Sequence, residues 1–242
     1  MKMIYEIWNL NKKDLLIILG SMAGAWLFGV ILVAVIMNIP ALEAEDYALI
    51  GGFMMLIVWV AVNLFVGAFT LEKQFGMAVS MGRSRKEVIL TYWIIYTLNV
   101  LLEFFSIILL DKVERVLAAW LYRGVPCGFD LMPYLLDWRL ILGILIVVPA
   151  VNLFLGMLIM KFQRKAFWGI WAVWMLGSIG LPKLVHFVDE NVHHPVAQAL
   201  NSMIEAVVSL GATGGFLLAA AVGVVLMLIA GMVLRKQPVT YV

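Results

Sequence analysis

Glu72-Lys73-Gln74-Phe75-Gly76-Met77-Ala78-Val79-Ser80-Met81-Gly82-Arg83-Ser84-Arg85-Lys86-Glu87 stands between two long hydrophobic runs in a chain that is otherwise almost all apolar. It carries four cations, two anions and two glycines, so here the hydrophobic sequence is brought back to water. Phe75, Val79 and, less regularly, Met81 form a short apolar face. Gly82 then breaks the helix. Ser84 can cap a new one, with Glu87 three residues on at the capping-box position. The pattern predicts a short interfacial helix, a turn, and a following span that starts in a basic cluster. Two uses fit: a loop that grips anionic lipid headgroups, or a surface that docks onto a soluble partner.

The composition around this stretch defines the class. Of 242 residues, 64% are hydrophobic and only 13% charged, against about 45–50% and about 25% in soluble domains. The mean hydropathy is +1.04. A chain of this length lacks the interior volume to hide that excess, so a polytopic all-α membrane protein is expected. A net charge of +2 gives no reason to expect nucleic acid. The single cysteine, Cys127, excludes an internal disulfide and a cysteine-based zinc site. Met1–Asp14 holds Trp8 and three lysines and leads into a run too long for a signal core, so a retained span is expected there.

A bilayer-crossing helix needs about 20 mostly apolar residues. Six runs qualify: about 15–37, 47–69, 88–110, 138–160, 166–186 and 214–234, the fifth ending raggedly at Pro182-Lys183. Even parity puts both termini on one side, and the cations choose which. With the termini inside, twelve fall in cytoplasmic segments: Lys2, Lys12, Lys13, Lys73, Arg83, Arg85, Lys86, Lys161, Arg164, Lys165, Arg235 and Lys236. Five lie outside or at the outer boundary: Lys112, Arg115, Arg123, Arg139 and Lys183. Both termini are therefore expected in the cytoplasm.

Asp111–Arg115 is an i,i+4 ion pair suited to a helix that runs past the membrane or lies on its surface, before Pro126, Gly128 and Pro133 break it. In residues 1–14, Ile4, Ile7, Trp8 and Leu10 fall near one helical face, which predicts an interfacial entry helix. Small residues at four-residue spacing, Gly20/Gly24 and Gly215/Ala219/Gly223, permit close helix contact, and intrachain packing is expected of them. No internal repeat is visible, so residues 1–242 form one transmembrane domain, with 70–87 as a cytoplasmic segment.

Polar residues inside the spans are few. Tyr92, Tyr96, Asn99, Glu103 and Ser106, spaced by four, three, four and three, share one stripe of the third span. A stripe holding a carboxyl and an amide must face protein or a wet cavity. It is either a substrate pathway or interhelical glue. Asn63 and Asn152 fit packing hydrogen bonds, and Trp168, Trp171 and Trp174 fit interfacial anchoring.

Enzyme motifs are missing. His186, His193 and His194 have no zinc-binding spacing, Gly177-Ser178-Ile179-Gly180 is not a nucleophile elbow, and no Walker motif is present. The chain is not expected to be an enzyme by itself.

An acidic residue after the second span, then an aromatic, then Met81-Gly82-Arg83-Ser84-Arg85-Lys86-Glu87 leading into the third span resembles the permease subunits of ATP-binding-cassette (ABC) exporters. The class is the small six-helix type-2 permeases of bacteria. The similarity extends to span count, termini, entry helix and the extended region before the last span. It implies a multi-pass plasma-membrane protein in which Glu72, Phe75, Met81, Gly82, Arg83, Ser84, Arg85 and Lys86 form the region that couples to an ATPase, with Lys161–Lys165 as a second contact. It further implies two ATPase copies that carry the ATP and Mg, a second permease chain (identical or related), and no cofactor on this chain itself. Tyr92, Tyr96, Asn99, Glu103 and Ser106 would then meet an amphipathic peptide, antimicrobial or lipid-like substrate moved by alternating access. One departure is Val185–Ser202, whose three histidines, two acids and Pro195 replace the apolar hairpin of the family. A stand-alone membrane binding or immunity protein and an intramembrane enzyme are the alternatives.

Overall fold

The computed structural model describes residues 2–38, 47–80, 82–122, 125, 127–129, 132–180, 183, 198, 201–202, 205–206 and 209–236, with the backbone alone at 2–11, 73, 128 and 129. Met81, the expected face of Ile4, Ile7, Trp8 and Leu10, residues 39–46 and the three histidines lie outside the described residues or side chains. The helices are α1 (Lys2–Met37), α2 (Ile50–Val62), a π-turn (Asn63–Gly67), α3 (Ala68–Ser80), α4 (Arg85–Leu121), α5 (Met132–Leu135), α6 (Trp138–Phe162), α7 (Arg164–Met175, extended by a second π-turn at Leu176–Gly180) and α8 (Gly211–Lys236). A two-stranded parallel pair, β1 (Tyr47–Ala48) and β2 (Cys127–Phe129), closes one end of the bundle. The sequence pattern did not predict it.

Among the described residues, five helical stretches are long and apolar enough to cross a membrane: Lys12–Met37, Ile50–Ser80, Arg85–Leu121, Trp138–Phe162 and Gly211–Lys236. The fifth expected span, 166–186, overlaps α7 and its π-turn, a shorter helix that ends at Gly180. Helix α1 runs unbroken from Lys2 to Met37, and its stretch long and apolar enough to cross a membrane begins at Lys12.

The larger correction concerns residues 70–87. No separate short helix forms there, because α2, the π-turn and α3 make one uninterrupted helical rod to Ser80. Leu71, Gln74, Phe75 and Ala78 recur at helical spacing and all are buried. The apolar face that looked available to a partner is the one α3 turns into its own bundle, where Phe75 joins the main core with Leu153, Met157 and Leu234. Periodicity reports that a face is apolar and not what covers it.

The end of the rod follows the expected chemistry. Gly82 has φ +78. Its N–H donates to the Val79 carbonyl at 3.0 Å, and Arg83 N–H to the Ala78 carbonyl at 3.2 Å. This is the paired 5→2 and 6→1 closure of a Schellman motif, and glycine serves it because the position is left-handed. Two residues later the Ser84 hydroxyl accepts from Glu87 N–H at 3.3 Å, the first half of the capping box. Helix α4 then runs 37 residues. At about 1.5 Å per residue it is about 55 Å long and overshoots a hydrocarbon layer of about 30 Å. In its last third it carries the expected Asp111–Arg115 pair, at 3.7 Å.

Close approaches fix the helix directions. A Cβ on Gly29 of α1 would lie 2.5 Å from the Gly51 Cα at the start of α2, while Asp14 near the beginning of α1 accepts from Thr70 of α3 at 3.3 Å. Helix α1 is thus antiparallel to the α2–α3 rod. Gly67 and Gly156 place α6 parallel to α3: the first abuts Asn152, the second Leu71. Gly143 meets Phe216 and Gly223 meets Ile146, so α8 also runs parallel to α6. Among the small residues named from sequence, Gly223 is closely approached within the chain, since a Cβ there would lie 3.2 Å from Ile146 Cγ2, but a Cβ on Gly20, Gly24 or Gly215 would meet nothing within 4 Å. The close α1–α2 contact belongs to Gly29 and Gly51 instead, a pair far apart in sequence and invisible to a four-residue rule.

Gly29→Leu should push α1 off α2 and cost about 1–3 kcal/mol, the usual penalty of overpacking. Gly24→Leu, in open space, should leave the midpoint unchanged. Thermal unfolding of both variants in one detergent checks the contrast.

Candidate functional site

Two polar constellations lie in the described bundle, one in its middle and one at the end of α4. In the middle, Glu103 of α4 is fully buried. Its Oε2 accepts from Trp59 Nε1 at 2.8 Å and from Asn63 Nδ2 at 2.9 Å, both on the α2–α3 rod. Tyr96 donates its hydroxyl to Asn63 Oδ1 at 2.6 Å, and Tyr92 donates to the Gly67 carbonyl at 3.0 Å. The two tyrosine rings stack with centroids 5.5 Å apart. Asn63 and Gly67 are the first and last residues of the π-turn, so three of the four bonds engage the irregular segment. Such turns re-aim side chains and carbonyls that a regular helix would hide. Both donors to Glu103 are neutral, and its Oε1 has no hydrogen-bond partner.

Of the stripe expected on α4, the structure brings Tyr92, Tyr96, Asn99 and Glu103 to one buried face. Asn99 Oδ1 also lacks a partner there. Ser106 stands apart and spends its hydroxyl on the Leu102 carbonyl of its own helix, at 2.9 Å. Asn152 reaches the same region from α6. A Cβ on Gly67 would collide with both Asn152 Oδ1 and the Tyr96 hydroxyl, so only glycine lets the three helices meet. Sequence reading missed Trp59 as a member. Its signal was the i,i+4 spacing to Asn63, which puts an indole N–H and an amide on one face.

At the far end of α4, Glu114 caps α2. Leu49 offers that helix no side-chain cap. Glu114 Oε1 accepts from Gly51 N–H at 2.8 Å and Oε2 from Gly52 N–H at 2.7 Å. An anion placed on the open N–H groups of a helix start is favoured by the backbone dipole as well as by the two bonds. The carboxylate is buried and belongs to a different helix, so it is a tertiary cap that local pattern cannot show.

The expected partner-docking residues separate. Phe75 is buried in the core. Glu72, Gly82, Ser84 and Lys86 are exposed, and Arg83 is half-buried. Arg85 donates from Nη1 to the Arg235 carbonyl of α8 at 2.8 Å. That bond ties the α3–α4 turn to the last turn of α8. The starts of α1 and α4 and the ends of α3, α6 and α8 therefore share one end of the bundle. Among the described residues no three His, Cys, Asp or Glu side chains are grouped to hold a metal ion. Compared with protein-family models, with curated proteins and with solved structures, the chain matches none.

Glu103→Leu should strand the Trp59 indole N–H, while Asn63 Nδ2 keeps its bond to the Trp59 carbonyl at 3.0 Å, and should destabilise the fold by about 1–3 kcal/mol, the cost of a buried donor left unpaired. Glu103→Gln keeps an acceptor oxygen in place and should cost less than half as much. Denaturant unfolding followed by tryptophan fluorescence reads both. Glu114→Ala should cost about 2 kcal/mol through the lost cap and speed amide exchange at Gly51 and Gly52.

Proposed function

We propose that this chain is the membrane-spanning permease subunit of an ATP-driven exporter, acting with a second permease chain and two soluble ATPase subunits. The observation that carries the reading is the α3–α4 turn. It is tightly closed by the Gly82 and Ser84 caps, it is basic, and it exposes Lys86 and Glu87 at the cation-rich end of the bundle. A rigid turn fixed at both helix ends can pass a push from a partner into α3 and α4 without being absorbed by a floppy loop. Its Arg85–Arg235 bond would carry the same push to α8.

The helix directions support a six-span arrangement. Helices α6 and α8 are parallel, so the chain between residues 162 and 211 must return to the opposite end of the bundle. Helix α7 supplies the start of that return. A sixth crossing would leave both termini on one side, and the excess of cations there makes that side cytoplasmic. Substrate contact with Tyr92, Tyr96, Asn99 and Glu103 would require α4 to part from the α2–α3 rod in another state of an alternating-access cycle. A wall with few charges suits an amphipathic peptide, antimicrobial or lipid-like substrate.

The burial of Phe75 favours a second reading. With that ring in the core, the turn offers a partner charge and backbone but little apolar surface, as in a stand-alone membrane binding or immunity protein.

The test is co-purification of the tagged chain from its native membrane in mild detergent. A stoichiometric ATPase with Walker motifs is expected, and Lys86→Glu should lose it while leaving the melting midpoint in place. Lys86 serves better than Arg85, whose bond to α8 would be broken as well. Recovery of the chain alone across several detergents would reject the exporter and leave the stand-alone binder.

A further inference from the structure

Helix α7 is unlike the other long helices, since none of its residues is buried. It stands off α6 and is held at its inner face by rings. Phe167 lies 6.3 Å from Phe65 and 5.9 Å from Phe69, and Trp174 lies 6.2 Å from Phe65. Between α6 and α7 this leaves an apolar groove of about 800 Å³, floored by Leu64 and walled by Phe154, Leu158, Ile170 and Val173. That is the size of a pocket for a drug-sized ligand, about 300–1,000 Å³. Gly169 and Gly177 widen the α7 wall, and a Cβ on either would meet nothing within 4 Å.

The mouth of the groove is as cationic as its walls are apolar. Helices α6 and α7 are joined by one residue, Gln163, whose φ of +49 and ψ of −128 hold a conformation that side-chain-bearing residues rarely take. The tight turn crowds Lys161, Arg164 and Lys165 together, all exposed, and Lys165 itself lines the groove. Residues 161–180 contain no Asp or Glu to oppose them. No side chain caps the start of α7, so its first N–H groups add to the attraction for an anion.

We propose that this groove is a binding site for one anionic glycerophospholipid, with acyl chain along the α6–α7 walls and headgroup phosphate on Lys161, Arg164 and Lys165. The occupant follows from the charge complementarity. A zwitterionic lipid would fill the walls but gain little at three unopposed cations. A soluble anion would meet the cations and leave the walls uncovered. Bound lipid would supply packing that α7 lacks against the described residues of its own chain. The inference rests on the membrane-spanning reading and is independent of any ATPase partner.

Native mass spectrometry tests it on the full chain, purified in mild detergent and exchanged into nanodiscs of phosphatidylglycerol and phosphatidylcholine with matched acyl chains. One phosphatidylglycerol should be retained per chain, preferred over phosphatidylcholine by about a hundredfold at three headgroup cations, each contributing about 1 kcal/mol. Replacing all three cations (Lys161→Gln, Arg164→Gln, Lys165→Gln) should bring the preference close to one. Gly169→Trp, which fills the groove and keeps the charges, should reduce retention of both lipids. Lys112→Gln, an exposed cation on α4 toward the other end, should change neither. Equal retention of the two lipids by the wild type would overturn the proposal, as would a preference that survives the triple change. Undiminished retention in Gly169→Trp would overturn it too, as would inorganic phosphate displacing the lipid at equal concentration, since both would put the anion on the turn without the groove.

Discussion

The hydrogen bonds from Trp59 and Asn63 to one oxygen of Glu103 set the terms for the rest of the bundle. In hydrocarbon no water takes over for a missing partner, so a buried carboxyl on α4 and two buried donors on the α2–α3 rod must find one another. Helix packing among apolar side chains has little to say about rotation or register, because leucine meets leucine as well as it meets lipid. The polar contact does. Once Glu103 faces Trp59 and Asn63, Tyr96 falls opposite the Asn63 side-chain Oδ1 and Tyr92 opposite the Gly67 backbone carbonyl. Gly67 then has to be a glycine for Asn152 of α6 to close in. The π-turn belongs to the same arrangement, since its first and last residues are the ones that bond to α4.

The same constraint operates at both ends of the long helices, with local partners at one and a distant one at the other. At the cation-rich end, α3 closes on Gly82 and α4 opens on Ser84, each satisfied within a few residues. At the opposite end α2 begins at Leu49 without a cap, and Glu114, 65 positions beyond Leu49 in sequence, supplies both acceptors. The proposed coupling role depends on this asymmetry. The α3–α4 turn is closed by local caps, whereas the start of α2 at the far end takes its cap from a distant helix.

What was legible in the sequence was what local chemistry decides. Five of the six long apolar runs formed helices long enough to cross a membrane, and the Gly82 stop, the Ser84–Glu87 start and the Asp111–Arg115 pair, each involving residues within five positions of one another, formed as well. The Tyr92–Glu103 stripe was legible as a face for the same reason. Its partners were not. Trp59 could be read equally as an anchor or as core, and Glu114 as an exposed acid on an overshooting helix. Gly20 and Gly24 carried the familiar small-residue spacing, yet the tight crossing formed at Gly29, because the crossing point depends on where Gly51 arrives.

The amino-acid sequence alone therefore determined the membrane class, the helical runs, and most of the places where the chain leaves the apolar phase. These depend on hydropathy and on caps that act within a turn of backbone. Only the tertiary structure decided that Phe75 turns inward and that Glu103 is held by Trp59. It also decided that Glu114 caps α2 through Gly51 and Gly52, 63 and 62 residues before it, and that α7 stands apart with a groove behind it. An apolar face states that it must be covered. Which surface covers it is settled by the simultaneous fit of several helices, and no single stretch of sequence contains that information.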